Sequence, residues 1–231
     1  LAALHSEIAT VASLLPSDAR VRRVAFGGGS PNAIETGEFL DLVAAIHRNF
    51  PLVETEWSIE LDPRTMSFAW GDAIAEAGIT RASMGVQTFA HHCQVAIGRE
   101  QSDALICRSI DWLRGGGVTS LNFDLMYGLP EQTLQDLSDS LQYTKLLEAD
   151  RVALFGYAHV PHIVKRQKAI DATNLPDKRQ RFEMAEFGYD YLTHEGYEAV
   201  GFDHFALPTD PLAQAANEGT LGRNFQGFTD D

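Results

Sequence analysis

Cysteine is nearly absent: among 231 residues only Cys93 and Cys107 carry a thiol. Their spacing makes neither a disulfide framework nor a metal motif, so two reduced thiols in a cytoplasmic protein are expected, with no metal ligands. Positive charge is also scarce. Lys and Arg number 18 against 32 Asp and Glu, a net charge of −14. That balance lacks the basic footprint of a phosphate-backbone partner, and no nucleic acid is expected. Local arginines can still gather an anionic small molecule. No apolar run approaches the ~20 residues of a membrane span, and no secretory leader is visible, so no membrane partner is expected. Equally missing are H-E-x-x-H, G-x-S-x-G, a Walker loop and G-x-G-x-x-G, which removes the commonest metalloprotease, serine-hydrolase and nucleotide-phosphate readings.

What is present is an ordinary globular composition, 45% hydrophobic and 22% charged, enough for one large α/β domain. Leu1, Leu4, Ile8, Val11 and Leu15 give one apolar helix face, and the chain opens inside it. An excised or incomplete segment of a longer protein is expected. Strands are expected at Val21 to Phe26, Glu56 to Leu61, Arg81 to Gln87, Val118 to Tyr127, Arg151 to Tyr157 and Glu198 to Asp203. Helices are expected near Glu38 to Arg48, Phe68 to Ala77, Asp103 to Arg114, Leu134 to Leu147 and Lys178 to His194. Repeated βα units imply a parallel sheet, either a barrel or a doubly wound sheet.

The strand faces separate these options. Trp57, Ile59 and Leu61 oppose Glu56, Ser58, Glu60 and Asp62; Ala82, Met84 and Val86 oppose Arg81, Ser83, Gly85 and Gln87; Leu121, Phe123 and Leu125 oppose Asn122, Asp124 and Met126. Doubly wound sheets are covered on both faces and read as continuous apolar runs. Three strands with one polar face suggest a wider or open barrel whose lumen holds a polar ligand. Burying such groups without partners costs roughly 2–7 kcal/mol each. The alternative is an antiparallel sheet with one solvated face.

Several residues on that face could carry chemistry. Gly27-Gly28-Gly29-Ser30-Pro31 follows a strand, where glycines let a backbone approach a ligand closely; it also reads as a plain tight turn. Glu60 stands near a strand's C-terminal end, where parallel barrels place their sites, and suits an ammonium or a ribose hydroxyl. A structural salt bridge is its other reading. Gln87, Arg99 and Asp124 would ring one lumen with acceptor, donor and charge, a set that meets a zwitterion such as an amino acid. Taken singly, Gln87 could cap a helix, Arg99 cover a surface and Asp124 pair with an arginine. His159 and His204 lack partners at ligand spacing and read as hydrogen-bonded structural histidines.

The order of motifs says more than any one of them. Gly27-Gly28-Gly29-Ser30-Pro31, Glu60-Leu61-Asp62-Pro63, Ser83-Met84-Gly85-Val86-Gln87, Gly98-Arg99-Glu100-Gln101, Asp124-Leu125-Met126-Tyr127-Gly128-Leu129-Pro130 and Phe155-Gly156-Tyr157-Ala158-His159 run in one sequence. That sequence resembles the oxygen-independent coproporphyrinogen III oxidases of the radical S-adenosylmethionine superfamily. Asp203-His204-Phe205 and Arg223-Asn224-Phe225-Gln226-Gly227-Phe228 look like the oxidases rather than the haem chaperones that share the barrel.

The resemblance implies a partial, open parallel (β/α) barrel over residues 1–200, with 201–231 starting the segment that leads to a C-terminal domain. It implies that Gly28, Gly29, Ser30 and Glu60 bind a first S-adenosylmethionine, and that Gln87, Arg99, Asp124 and Ala158 bind a second. Ser30 stands where the family usually has Thr, and Phe228 where it has Tyr. Gln226 matches a position implicated in catalysis. The implied reaction uses a 5′-deoxyadenosyl radical to convert two propionates of coproporphyrinogen III to vinyl groups, giving protoporphyrinogen IX in haem biosynthesis. Implied partners are coproporphyrinogen III and an electron donor and acceptor; a cytoplasmic monomer is expected. The family's C-x-x-x-C-x-x-C motif would lie before Leu1, so neither Cys93 nor Cys107 matches a ligand of the [4Fe–4S] cluster, which is expected only in the full-length protein. A haem chaperone of the same superfamily, or an unrelated barrel binding a zwitterion, are the competing expectations.

Overall fold

A computed structural model of the chain describes residues 1–224 and 227–230. In chain order its elements are α1 (Ala2–Leu14), β1 (Val21–Phe26), α2 (Thr36–Asn49), β2 (Leu52–Leu61), α3 (Phe68–Glu76), β3 (Arg81–Gln87), α4 (His91–Ala96), α5 (Asp103–Gly115), β4 (Ser120–Tyr127), α6 (Leu134–Leu146), β5 (Arg151–Gly156), α7 (Lys178–His194), β6 (Glu198–Ala199), β7 (His204–Ala206), α8 (Pro211–Glu218), β8 (Gly222–Asn224) and β9 (Gly227–Thr229). The chain forms two compact units, the first made of Leu1–Met84 with Cys107–Thr119, the second of the remainder. Strand β3 begins in one and ends in the other.

In the first unit β1, β2 and the start of β3 run parallel, with Phe26 opposite Ile59 and Glu60 opposite Ser83. Parallel neighbours need crossovers, and α2 and α3 supply them. Helix α2 buries Phe39, Leu42 and Val43, a stripe at helical spacing. Ser67 caps α3 by accepting from the Trp70 N–H at 3.3 Å. The core behind β1 and β2 is aromatic: Phe26 meets Phe39 edge-on at 5.0 Å, and Phe39 meets Trp70 at 5.0 Å. Gly71 lies so close to Trp112 of α5 that an added Cβ would sit 2.8 Å from its Cβ. Of the apolar face expected on α1, only Ile8 is buried, against Leu42 and Ala45; Leu1, Leu4, Val11 and Leu15 are exposed.

In the second unit β4 and β5 are parallel, with Asp124 opposite Ala153 and α6 as the crossover. Thr133 and Asp136 cap α6 reciprocally, and Asp177 and Gln180 do the same for α7. The expected last strand, Glu198 to Asp203, is not one parallel strand. Strand β6 ends at Ala199, the chain turns, and β7 returns antiparallel to both β6 and β5. The Val200 N–H donates to the His204 carbonyl at 2.9 Å and closes the turn. Gly201 fits there because the Phe228 ring occupies the place of a Cβ. Helix α8 has its start signal in Asp210-Pro211: the Asp210 carboxylate accepts from the Leu212 N–H at 2.9 Å. Asp210 also pairs with Arg151 Nε at 2.7 Å, its side chain only 4% exposed. Breaking so buried a pair from one side costs about 3–5 kcal/mol.

Strand alternation matches the sequence pattern. Trp57, Ile59, Leu61, Ala82, Met84, Val86, Leu121, Phe123 and Leu125 are buried. Of their polar neighbours most are partly covered, Glu60 is exposed and Asp62, past the strand end, is buried. Among the described residues no helix is long and apolar enough to cross a membrane.

Candidate functional site

In the first unit the glycine turn and Glu60 meet. Glu60 follows Ile59, the partner of Phe26, so the register carries it beside Gly27. A Cβ on Gly27 would stand 2.8 Å from the Glu60 carboxyl carbon. Glycine here lets the carboxylate lie over the backbone; an added Cβ would push that flexible side-chain end aside. Gly28 has φ +79 and nothing within 4 Å of a would-be Cβ; Gly29 is equally open. The turn thus offers bare backbone to whatever approaches it. The Asn32 amide fixes its far side, donating to the Asp62 carbonyl at 2.7 Å and accepting from the Asp62 N–H at 3.1 Å. Ser30 precedes this anchor and its side chain caps nothing. The salt-bridge reading of Glu60 does not hold: Arg81 on the same face pairs with Glu56 at 2.6 Å. Among the described residues Glu60 has no hydrogen-bond or ion-pair partner.

In the second unit Gln87 ends β3 in a left-handed conformation, φ 67. The Thr88 N–H donates back to the Val86 carbonyl at 2.9 Å, an i to i+2 bond that makes Gln87 the centre of a γ-turn. With positive φ that turn is rare and strained, and strain of this kind costs about 1–3 kcal/mol unless the surroundings fix it. Gln87 does not cap α4, whose N-cap is Ala90. Its Oε1 is buried and, among the described residues, accepts no hydrogen bond. Arg99 reaches back to the same strand end, donating from Nη2 to the Gly85 carbonyl at 2.9 Å. Asp124, on the polar face of β4, accepts from Asn122 Nδ2 at 2.7 Å. Ala158 lies beyond β5, exposed, its carbonyl accepting from Gln167 Nε2 at 2.9 Å. Arg181 of α7 holds the adjoining backbone through the Tyr157 carbonyl, at 2.7 Å. Gln226 lies outside the described residues.

The histidines divide. His159 is hydrogen-bonded, Nδ1 lying 3.1 Å from the Tyr157 hydroxyl. His204 departs from that expectation: among the described residues its buried Nδ1 has no hydrogen-bond partner, and its ring is held edge-on by Phe155 at 5.6 Å and Phe228 at 5.4 Å. Burial lowers its pKa; Asp203 opposes this, while Arg223 and Arg151 add to it. His92, Cys93 and Asp136 place potential ligand atoms within 4.8 Å. Asp136 is committed to the α6 cap, and burial pushes the Cys93 thiol up to about 12. Asp136 thus serves the helix start, with His92 Nε2 3.3 Å from its carboxylate. Sequence reasoning also gave no role to Gln94, a polar residue between Cys93 and Val95, or to Gln101, which it quoted only as the end of the Gly98-Arg99-Glu100-Gln101 motif.

A model of the radical SAM superfamily matches residues 5–144. The chain belongs to the radical SAM superfamily. It is 45% identical over 231 residues to an oxygen-independent coproporphyrinogen III oxidase of Paracoccus denitrificans, covering 99% of this chain and 51% of that protein. The corresponding Escherichia coli protein is 38% identical over 230 residues, at 99% and 50% coverage. The solved E. coli coproporphyrinogen III oxidase HemN, described as a radical SAM enzyme, superposes on all of this chain and 53% of its own with a TM-score of 0.96 and 37% identity. The radical SAM chain spans about half the length of the curated relatives it matches.

Proposed function

We propose that this radical SAM chain is the adenosylmethionine-binding part of an oxygen-independent coproporphyrinogen III oxidase. The whole protein would convert coproporphyrinogen III to protoporphyrinogen IX, oxidatively decarboxylating two propionates to vinyl groups in haem biosynthesis. The observation that carries this is the unpaired Glu60 carboxylate lying over Gly27 beside an open glycine backbone. Such a place accepts from an ammonium or ribose hydroxyl and donates backbone N–H groups. The relatives at 38–45% identity support the choice of oxidase.

When bound, S-adenosylmethionine supplies the 5′-deoxyadenosyl radical. The chain's own residues bind and orient. Gly28, Gly29, Ser30 and Glu60 would hold one molecule. Gln87, Arg99, Asp124 and Ala158 would hold a second, the Gln87 amide oxygen taking an N–H that the fold leaves it without. Residues of this sequence do not fit a [4Fe–4S] cluster. Two thiols fall short of three thiolates, and burial keeps Cys93 protonated. Coproporphyrinogen III, an electron donor and an electron acceptor would be its partners, in the cytoplasm.

Anaerobic haem synthesis in a bacterium lacking its own oxidases tests this reading. The whole coding region that includes this chain should restore growth, and Glu60→Gln should remove the rescue. Haem binding without any coproporphyrinogen turnover would instead mark a haem carrier.

A further inference from the structure

The geometry points to Gln94 and Gln101 as positioning residues that force Gln87 into its left-handed turn and aim its amide at the ligand. This rests on the reading of the Gln87 region as an adenosylmethionine site. The two carbonyls flanking Gln87 are those of Val86 and Thr88. Gln101 Nε2 donates to the first, and Gln94 Nε2 donates to the second at 2.9 Å. The Gln94 Oε1 in turn accepts from the Gln101 N–H at 3.1 Å, and the Gln94 carbonyl accepts from the Arg99 N–H at 2.8 Å. Two side chains thus clamp the backbone on both sides of the bend and tie the loop that carries Arg99 to it. Gln94 is 1% exposed and Gln101 is 7% exposed, so water does not compete for these bonds.

The bend is not a by-product of a tight connection. Thr88 is anchored independently: its hydroxyl lies 3.3 Å from that of Ser140, which also accepts from the Phe89 N–H at 3.2 Å. With Thr88 fixed to α6 and Val86 buried in its strand, an ordinary residue between them would relax to negative φ. Strain at a non-glycine residue persists only where neighbours over-determine it, and it gathers where a side chain must point one way. Gln87 has the mark of such a residue, an amide oxygen buried without a donor.

Isothermal titration of S-adenosylmethionine into this chain tests the assignment through a double-mutant cycle. Gln94→Met and Gln101→Met each should weaken binding about tenfold, one hydrogen bond's worth of alignment. Gln101→Glu, which keeps shape and removes the donor, should do the same and serves if the Met variant misfolds. In a Gln87→Ala background these substitutions should cost no further affinity, because they act through Gln87. Equal losses with and without Gln87 would overturn the inference by showing a merely structural role, and so would unchanged affinity in the single variants. Absence of binding to the folded parent chain would overturn both the inference and the functional reading; the first two outcomes leave that reading standing.

Discussion

The glycine turn at residues 27–29 and the glutamine turn at Gln87 both bring backbone and a polar side chain to the end of a strand, but by opposite means. At the first, side chains are removed: Gly27 makes room for Glu60, and Gly28 takes φ +79 at no cost. At the second, a full side chain is kept at φ 67 and other residues hold it there. A site made by omission is cheap and open. A site made by constraint is strained, buried and directional.

The largest expected effect that sharpens this contrast is at Gly27. Gly27→Ala should displace the Glu60 carboxylate and weaken S-adenosylmethionine binding more than tenfold, above about 1.4 kcal/mol, with little change in Tm, because the clash is with the end of a flexible side chain. Titration calorimetry alongside thermal melts separates the two. Next come paired substitutions read by urea unfolding. Gly28→Ala should destabilise by about 1 kcal/mol, since alanine pays the left-handed penalty. Gln87→Gly should leave stability unchanged or higher while binding falls, the trade expected where strain serves a site. Loss of stability from Gln87→Gly would break the contrast.

A smaller effect is pH-dependent. His204 has a folded pKa below its ordinary 6.5 because it is buried. Below 6.5 the unfolded chain binds more protons than the folded one, so this group's contribution is intact above 6.5 and declines as pH falls through that value towards the folded pKa. His204→Phe should flatten that part of a urea-stability profile taken from pH 7.5 to 5. The smallest effect concerns rates. Alkylation at pH 8 should label exposed Cys107 first and reach Cys93 only on opening, since burial raises the Cys93 pKa to about 12.

This contrast also explains what could be read from the chain alone. Alternation in β2, β3 and β4 is a local property, and the buried faces are those the sequence marks. The Gly27–Ser30 turn was legible because glycine is chosen for what it lacks. The Gln87 bend was not, because no local rule puts a glutamine at positive φ; its causes sit seven and fourteen residues away at Gln94 and Gln101. The β6–β7 reversal was hidden for a similar reason. Glu198 to Asp203 carries strand-like residues, but the chain turns at Gly201, whose missing Cβ leaves the space that the Phe228 ring fills. His204 read as an ordinary hydrogen-bonded histidine because sequence does not show that Phe155 and Phe228 enclose it.

Equilibrium dialysis of radiolabelled S-adenosylmethionine against the chain and its Glu60→Gln variant addresses the central claim most directly. Saturable binding by the parent, weakened about tenfold or more by Glu60→Gln, is the expected result. A folded parent chain that retains no label at millimolar ligand, or a variant that binds as tightly as the parent, would contradict it.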